Sequence, residues 1–174
     1  MNPSPQLHKD CCHSAVFEKL HRKYSKDLHN FIYYKYGEQN DPKDMVQTAF
    51  LKLWENCKSI TPEKAKSFLF SVANNATLNV IKHKTVVFKH QKSASILTKD
   101  NQDPQFILEE KQYMDKYQMA LSKLTPEKRV AFLMNRVEGK KHKEIAELLG
   151  ISRKAVEKRI YTALEQLRKD IHEI

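Results

Sequence analysis

The chain has 174 residues, of which only 3 are Gly and 6 are Pro, and its formal net charge is +10. This composition favours helices joined by short connections and a polyanionic partner, although charge alone would suit an anionic membrane equally well. The sequence has no apolar run long enough to cross a bilayer and no apolar signal core in residues 1–10, so we expect a cytoplasmic protein.

Three helices are predicted in the first half of the chain, where apolar residues recur every three or four positions. The second helix has the strongest start signal, because Asp41 can cap it and Pro42 takes the first helical position. Helices of this length pack as a compact bundle, so we expect an N-terminal domain over residues 13–84. The predicted helices cover about residues 13–37, 42–57 and 64–84.

The cysteines predict a reducing compartment. Three cysteines give no even set of pairs, and the neighbours Cys11 and Cys12 cannot easily bridge each other. His8 and His13 lie close to them in sequence, but their spacing matches none of the usual paired-ligand patterns of zinc sites. We therefore expect no metal site, and we expect no other cofactor.

Helical periodicity is lost over residues 85–104, where Lys, Gln, Ser, Thr and Asp accumulate, and we interpret this segment as a flexible linker. Helices resume afterwards and predict a C-terminal domain over residues 105–174. The expected fold is therefore all-α, with two small helical domains joined by the linker. The C-terminal domain should be a four-helix unit, with helices over about 105–123, 126–138, 142–149 and 152–168.

The last two predicted helices form a helix-turn-helix pattern. Gly150 ends the first helix, and Ser152 is a good N-cap for the second. The apolar stripe of the second helix leaves basic side chains on the opposite face, which is typical of a helix that enters the DNA major groove. An ordinary helical hairpin with a solvated charged face is the alternative. The stripe consists of Val156, Ile160, Ala163, Leu164, Leu167 and Ile171.

The predicted helix over residues 42–57 is apolar around more than half of its circumference. One row of residues can face a core, and a second row then remains for a partner, with Trp54 as the kind of residue that often anchors an interface. Alternatively, Trp54 completes the core of the bundle. The core row is Val46, Phe50, Leu53 and Cys57, and the second row is Gln47, Leu51 and Trp54.

The third predicted helix lies in a basic segment, since residues 64–99 contain seven Lys and no Asp or Glu. Asn74, Asn75 and Asn79 lower its helical propensity, because their amides compete for backbone groups. Amides can bind base edges and Lys can neutralise phosphate, so we interpret this face as a nucleic-acid surface. The alternative is an ordinary polar face.

Three segments stand in order along the chain: Asp41–Trp54 (DPKDMVQTAFLKLW), Lys66–Asn75 (KSFLFSVANN) and Leu121–Lys128 (LSKLTPEK), the last followed by the helix-turn-helix. Together they resemble the extracytoplasmic-function (ECF) group of bacterial RNA polymerase sigma factors, within the sigma-70 family. The resemblance covers about residues 13–171. It implies that the N-terminal domain corresponds to sigma region 2 and the C-terminal domain to region 4.

The resemblance also implies three functional surfaces. Region 2 of the family docks on the clamp helices of the largest polymerase subunit and reads the −10 promoter element, largely as an extruded base, whereas region 4 reads the −35 element. The implied polymerase-binding residues are Asp44, Gln47, Phe50, Leu53 and Trp54. The implied −10 contacts are Lys66, Asn74, Asn75, Lys82 and Lys84. The implied −35 contacts are Ser152, Arg153, Lys154, Lys158, Arg159 and Tyr161.

Three positions depart from the family pattern. Asn74 stands where Arg is common, Asn79 where Asp is common, and Glu157 where a basic residue often contacts DNA. The promoter sequence is therefore not predictable from relatives.

The sequence thus predicts a specificity subunit and not an enzyme. It has no Walker-type loop, no HExxH motif and no Ser-His-Asp constellation. The expected partners are core RNA polymerase, promoter DNA and an anti-sigma factor, without membrane insertion. One alternative is a stand-alone helix-turn-helix regulator, which would bind palindromic DNA as a dimer. Another is a nucleic-acid-processing enzyme, which would need a carboxylate cluster that residues 64–99 lack.

Overall fold

The computed structural model describes residues 11–90 and 106–171, and this part of the chain is all-α, as predicted. The chain divides into two compact units, residues 1–87 and 88–174. A 3-10 turn over Glu38–Asn40 lies between the first two helices. The helices are α1 (Ser14–Tyr36), α2 (Pro42–Glu55), α3 (Pro62–His90), α4 (Phe106–Lys123), α5 (Pro126–Arg136), α6 (His142–Leu149) and α7 (Arg153–Asp170).

Helix α3 is longer than the sequence predicts: it continues past Lys84 and ends at His90. The six added residues contain neither Gly nor Pro, and three of them, Val86 to Phe88, are apolar, so nothing in this stretch breaks a helix. The remainder of the predicted linker, residues 91–104, lies outside the described residues, and so does His8. The domain boundaries and the flexible linker stay predictions.

The α1–α3 bundle is built on apolar side chains that are shielded from water. Leu28 and Ile32 of α1, Leu53 of α2 and Leu69 of α3 are all fully buried. Burying a side chain of this size stabilises a fold by about 1.5–3 kcal/mol. The core row predicted for α2 is confirmed, since all four of its members, Val46, Phe50, Leu53 and Cys57, are buried.

The start of α2 differs from the prediction that Asp41 caps it. Asp41 has left-handed backbone angles (φ 48°, ψ 66°) and its side chain makes no capping hydrogen bond. An N-cap residue normally has extended backbone angles, which let its side chain reach the N–H groups of the first turn. Asp41 does not have these angles, because the 3-10 turn leads directly into it. Only its backbone carbonyl joins the helix, accepting from the N–H of Met45 at 3.1 Å.

The structure contradicts the expectation that the cysteines stay unpaired. Cys12 and Cys57 form a disulfide, and Cys11 beside them is buried. The pair is 45 residues apart in sequence, but α1 and α2 form a helical hairpin that brings the start of α1 to the end of α2. The Cys11 N–H also donates to the Cys57 carbonyl at 3.1 Å. Counting cysteines could not reveal this pairing, which depends on the fold of the hairpin.

The second unit contains the predicted four helices, with α7 packed against α4, α5 and α6. Its core is formed by side chains from all four, including Ala120, Val130, Ile145 and Leu167. The helix-turn-helix pattern is confirmed: Gly150 is left-handed (φ 68°), and Ser152 Oγ accepts from the N–H of Ala155 at 3.1 Å. Within the part of the chain described by the structure, no helix is long and apolar enough to cross a membrane.

Candidate partner and nucleic-acid interfaces

An apolar groove of about 780 Å³ runs between α1 and α2. We call it the α1–α2 groove. Trp54 is 49 % exposed and packs edge-on against Phe17, with ring centroids 5.2 Å apart. Leu51 is also exposed, at 58 %. Because Trp54 is about half exposed to solvent, the alternative that it completes the core of the bundle is wrong. The groove is lined by Ser14, Phe17, Glu18, His21, Asp44, Gln47, Thr48, Phe50, Leu51 and Trp54.

The residues implied as polymerase-binding fall into two groups. Asp44, Gln47 and Trp54 are exposed in the groove, whereas Leu53 is fully buried, and Phe50, only 5 % exposed, forms part of the groove floor. Leu53 therefore supports the surface from inside and cannot touch a partner while the bundle is folded. Leu51 also lines the groove, as a member of the second row in the helical pattern, although the family resemblance did not imply it.

The carboxylates in the groove and next to it differ in whether a basic side chain pairs with them. Glu18 accepts from Arg22 at 2.6 Å, and Glu55, at the end of α2, pairs with Lys52 at 2.7 Å. Asp44 makes no ion pair with any described residue. The groove thus combines an apolar floor with one uncompensated negative charge.

On α3, the five implied −10 contacts are not equally available. Asn75 and Lys82 are exposed, and Lys66 is half-buried. Lys84 is exposed, but its Nζ donates to the backbone carbonyl of Gln39 at 2.6 Å. The exposed side of the helix therefore carries a mixture of amide and ammonium groups.

Asn74 is tied to α1 and is the least available of the five. Its Oδ1 accepts from Lys35 Nζ at 2.8 Å and from the Tyr36 hydroxyl at 2.7 Å. Sequence reasoning missed Lys35 and Tyr36, which lie 39 and 38 residues from Asn74, because no local pattern connects them. These two bonds offset part of the helical cost of asparagine.

On α7, the predicted exposed face is present. Ser152, Lys154 and Lys158 are exposed, Tyr161 is 64 % exposed, and Arg159 is half-buried. Tyr161, in the middle of α7, offers stacking area, and the lysines nearer the start of the helix offer phosphate contacts.

Arg153, the remaining candidate on α7, is engaged by an acidic neighbour. Its Nε donates to Glu157 Oε1 at 2.9 Å, and His142 Nδ1 of α6 lies 3.5 Å from the same oxygen. The hydrogen bond from Arg153 is the main reason why the pKa of Glu157 lies below its ordinary value. Glu157 is therefore ionised at neutral pH and partly neutralises the basic face.

These elements define a helix-turn-helix protein with an additional helical unit that carries an exposed apolar groove. Residues 20–86 match the family described as Sigma-70 region 2, and residues 114–167 match Sigma-70, region 4. The chain belongs to the sigma-70 family, in its ECF group, which confirms the resemblance seen in the sequence.

Similar curated proteins include the ECF RNA polymerase sigma factor SigE of Mycolicibacterium smegmatis, which is 23 % identical over 154 residues, covering 87 % of this chain. The chain spans 60 % of the length of SigE. The ECF sigma factor SigM of Bacillus subtilis is 23 % identical, and the match covers 88 % of this chain and 93 % of SigM. Among solved structures, a chain of the RsbN–BldN complex is 16 % identical with a TM-score of 0.34, covering 90 % of this chain and 92 % of that chain.

Proposed function

We propose that this chain is a sigma factor that binds core RNA polymerase and directs promoter-specific initiation of transcription. In this proposal the α1–α3 bundle docks on the polymerase and reads the −10 element, and the helix-turn-helix reads the −35 element. The observation that carries it is the exposed apolar row of α2, Leu51 and Trp54, beside a groove, in a chain that also has a basic recognition helix.

The α1–α2 groove suits a helical partner with apolar and basic side chains. Leu51 and Trp54 expose large apolar surfaces that are costly to leave in water, and Trp is a frequent anchor of interfaces. Asp44 adds an uncompensated negative charge that would orient a basic residue of the partner. We assign this groove to the clamp helices of the largest polymerase subunit. An anti-sigma factor would compete by covering the same apolar surface.

Binding supplies the energy for this activity, because we infer no chemical reaction in the chain. Extruding a base from duplex DNA costs a few kcal/mol, which contacts in the first unit must offset. Lysines such as Lys82 and Lys158 neutralise phosphates, and each such contact makes binding more sensitive to salt. We therefore expect weak DNA binding by the protein alone and strong promoter binding with polymerase. We also propose that the protein acts in the cytoplasm.

The test combines purified chain, bacterial core polymerase and a promoter library in a run-off transcription assay. The proposal expects start-site selection that core polymerase alone does not show. Binding of the chain as a dimer to palindromic DNA, with no effect of polymerase, would instead support the stand-alone regulator.

The groove has its own test, Trp54→Ala. Loss of an anchor at the centre of an interface costs about 2 kcal/mol or more, so we expect association with core polymerase to weaken by about 30-fold. Met119→Ala is the control, because Met119 is also an exposed large hydrophobic residue, at 59 % against 49 % for Trp54, but it lies on α4. Unchanged association of the Trp54 variant, with an unchanged circular dichroism spectrum, would remove the groove from the proposal.

A further inference from the structure

The orientation of the Asn74 side-chain amide is determined by its neighbours on α1. Lys35 Nζ and the Tyr36 hydroxyl both lie within 2.8 Å of one atom of this amide. An ammonium group has three donors and no acceptor, so the amide must turn its oxygen, and not its nitrogen, towards Lys35. The assignment of Oδ1 and Nδ2 therefore follows from chemistry.

The amide oxygen has no capacity left for another partner. A carbonyl-type oxygen has two lone pairs, and here one accepts from Lys35 and the other from Tyr36. The ammonium of Lys35 is also held near two rings, 5.3 Å from the centroid of Phe31 and 5.2 Å from that of Tyr36. These contacts keep the donor half of the arrangement in place.

The opposite side of the amide is turned outward. Asn74 Nδ2 lies 3.5 Å from Oδ1 of the exposed Asn75. From this side Asn74 itself can offer a ligand only its N–H groups, beside the amide of Asn75. The neighbouring ammonium polarises the amide further, which strengthens those N–H groups as donors.

We propose that Asn74 is a donor-only contact to a base pair of the −10 element that is still in the duplex, and that Lys35 and Tyr36 are positioning residues that fix this polarity. The proposal rests on the proposed function. An asparagine that can turn both ends outward pairs with adenine through one donor and one acceptor. With its oxygen occupied, Asn74 should instead favour guanine or thymine, whose major-groove edges present only acceptors. Adenine presents a donor beside its single major-groove acceptor, and cytosine presents a donor alone, so both should be disfavoured.

The experiment measures run-off transcription by core polymerase and the chain from a promoter library randomised across the −10 element. Wild type should prefer guanine or thymine over adenine by about tenfold at one position. Asn74→Asp keeps an oxygen for Lys35 and Tyr36 but turns a second oxygen outward, so the preference at that position should shift to adenine or cytosine. Preferences at the other positions should not change.

Tyr36→Phe tests the positioning role without altering Asn74. Removing the hydroxyl releases one lone pair of Oδ1, so the base preference should relax by about threefold. Tyr33→Phe is the matched control, since Tyr33 is exposed on the same helix and its ring contacts His29 and Tyr34, away from Asn74. This variant should keep the wild-type profile.

An unchanged base preference in both Asn74→Asp and Tyr36→Phe would overturn the inference. A purely structural link between α1 and α3 would lower the transcript yield equally on all promoters without changing the base preference. If Asn74→Asp does not fold, as judged by circular dichroism, Tyr36→Phe decides alone. If the wild-type chain selects no start site, the proposed function itself is wrong. That result is obtained before any variant is made, so it is distinguished from a failure of this inference.

Discussion

The α1–α3 bundle and the helix-turn-helix are stabilised by polar contacts of different range. In the bundle, the Cys12–Cys57 disulfide and the bond between Lys35 and Asn74 join residues 45 and 39 positions apart. In the helix-turn-helix, the contacts at the start of α7 are local: Ser152 Oγ accepts from Ala155, three residues on, and Arg153 pairs with Glu157 one turn away. Only further along α7 do Gln166 and Asp170 reach Lys123 of α4. The bundle therefore depends on its tertiary fold to place the disulfide and the partners of Asn74, whereas the turn and the start of α7 are shaped by local contacts.

The largest expected effect is a loss of stability in the bundle that leaves the helix-turn-helix unchanged. Cys57→Ser opens a loop of 45 residues, and the chain-entropy model assigns such a cross-link about 4 kcal/mol of the free energy of unfolding. We expect hydrogen exchange, measured by mass spectrometry without reductant, to become faster in α1 and α2 and to stay unchanged in α6 and α7.

Reductant provides the internal control for that experiment. It should destabilise the wild-type bundle to the level of the Cys57 variant and leave the variant itself unaffected. Equal protection of wild type with and without reductant would show that the bundle does not depend on this pair.

A smaller effect is expected at the cap of α7. Ser152→Ala removes the acceptor for the N–H of Ala155 and should lower the free energy of unfolding of the helix-turn-helix by about 1 kcal/mol, measured by urea denaturation. Ser152→Asp keeps a capping oxygen and should retain wild-type stability. If the Ala and Asp variants are equally unstable, the local contact does not set the shape of this region.

The smallest effect concerns charge on the recognition helix. Glu157→Gln releases Arg153, so affinity for promoter DNA should rise by about threefold and become steeper in salt. The lowered pKa of Glu157 keeps its carboxylate ionised in assays near neutral pH, so substitution is needed to remove this charge.

Glu165→Gln is the control for that variant, because it makes the same charge change at an exposed site on α7, two turns further along the helix. An equal gain from both substitutions would indicate a general charge effect, without a specific contribution from Arg153.

The helix-turn-helix could be predicted from the sequence, whereas the long-range contacts of the bundle could not. Gly150 and Ser152 act through their own backbone and side-chain chemistry, so the helix-turn-helix was predictable from a short segment. The disulfide and the partners of Asn74 were not, because they depend on which distant residues the bundle brings together. Family resemblance gave the buried Leu53 as a partner contact, where helical spacing had correctly placed it in the core.

Trp54 is the single tryptophan of the chain, and its indole lies half open to solvent in the α1–α2 groove. Ultraviolet excitation above the tyrosine band therefore reports on one place in the molecule. A ligand that fills the groove should move its emission to shorter wavelength as the ring leaves water. The intrinsic fluorescence of Trp54 thus reports whether this surface is occupied, with no dye or label attached.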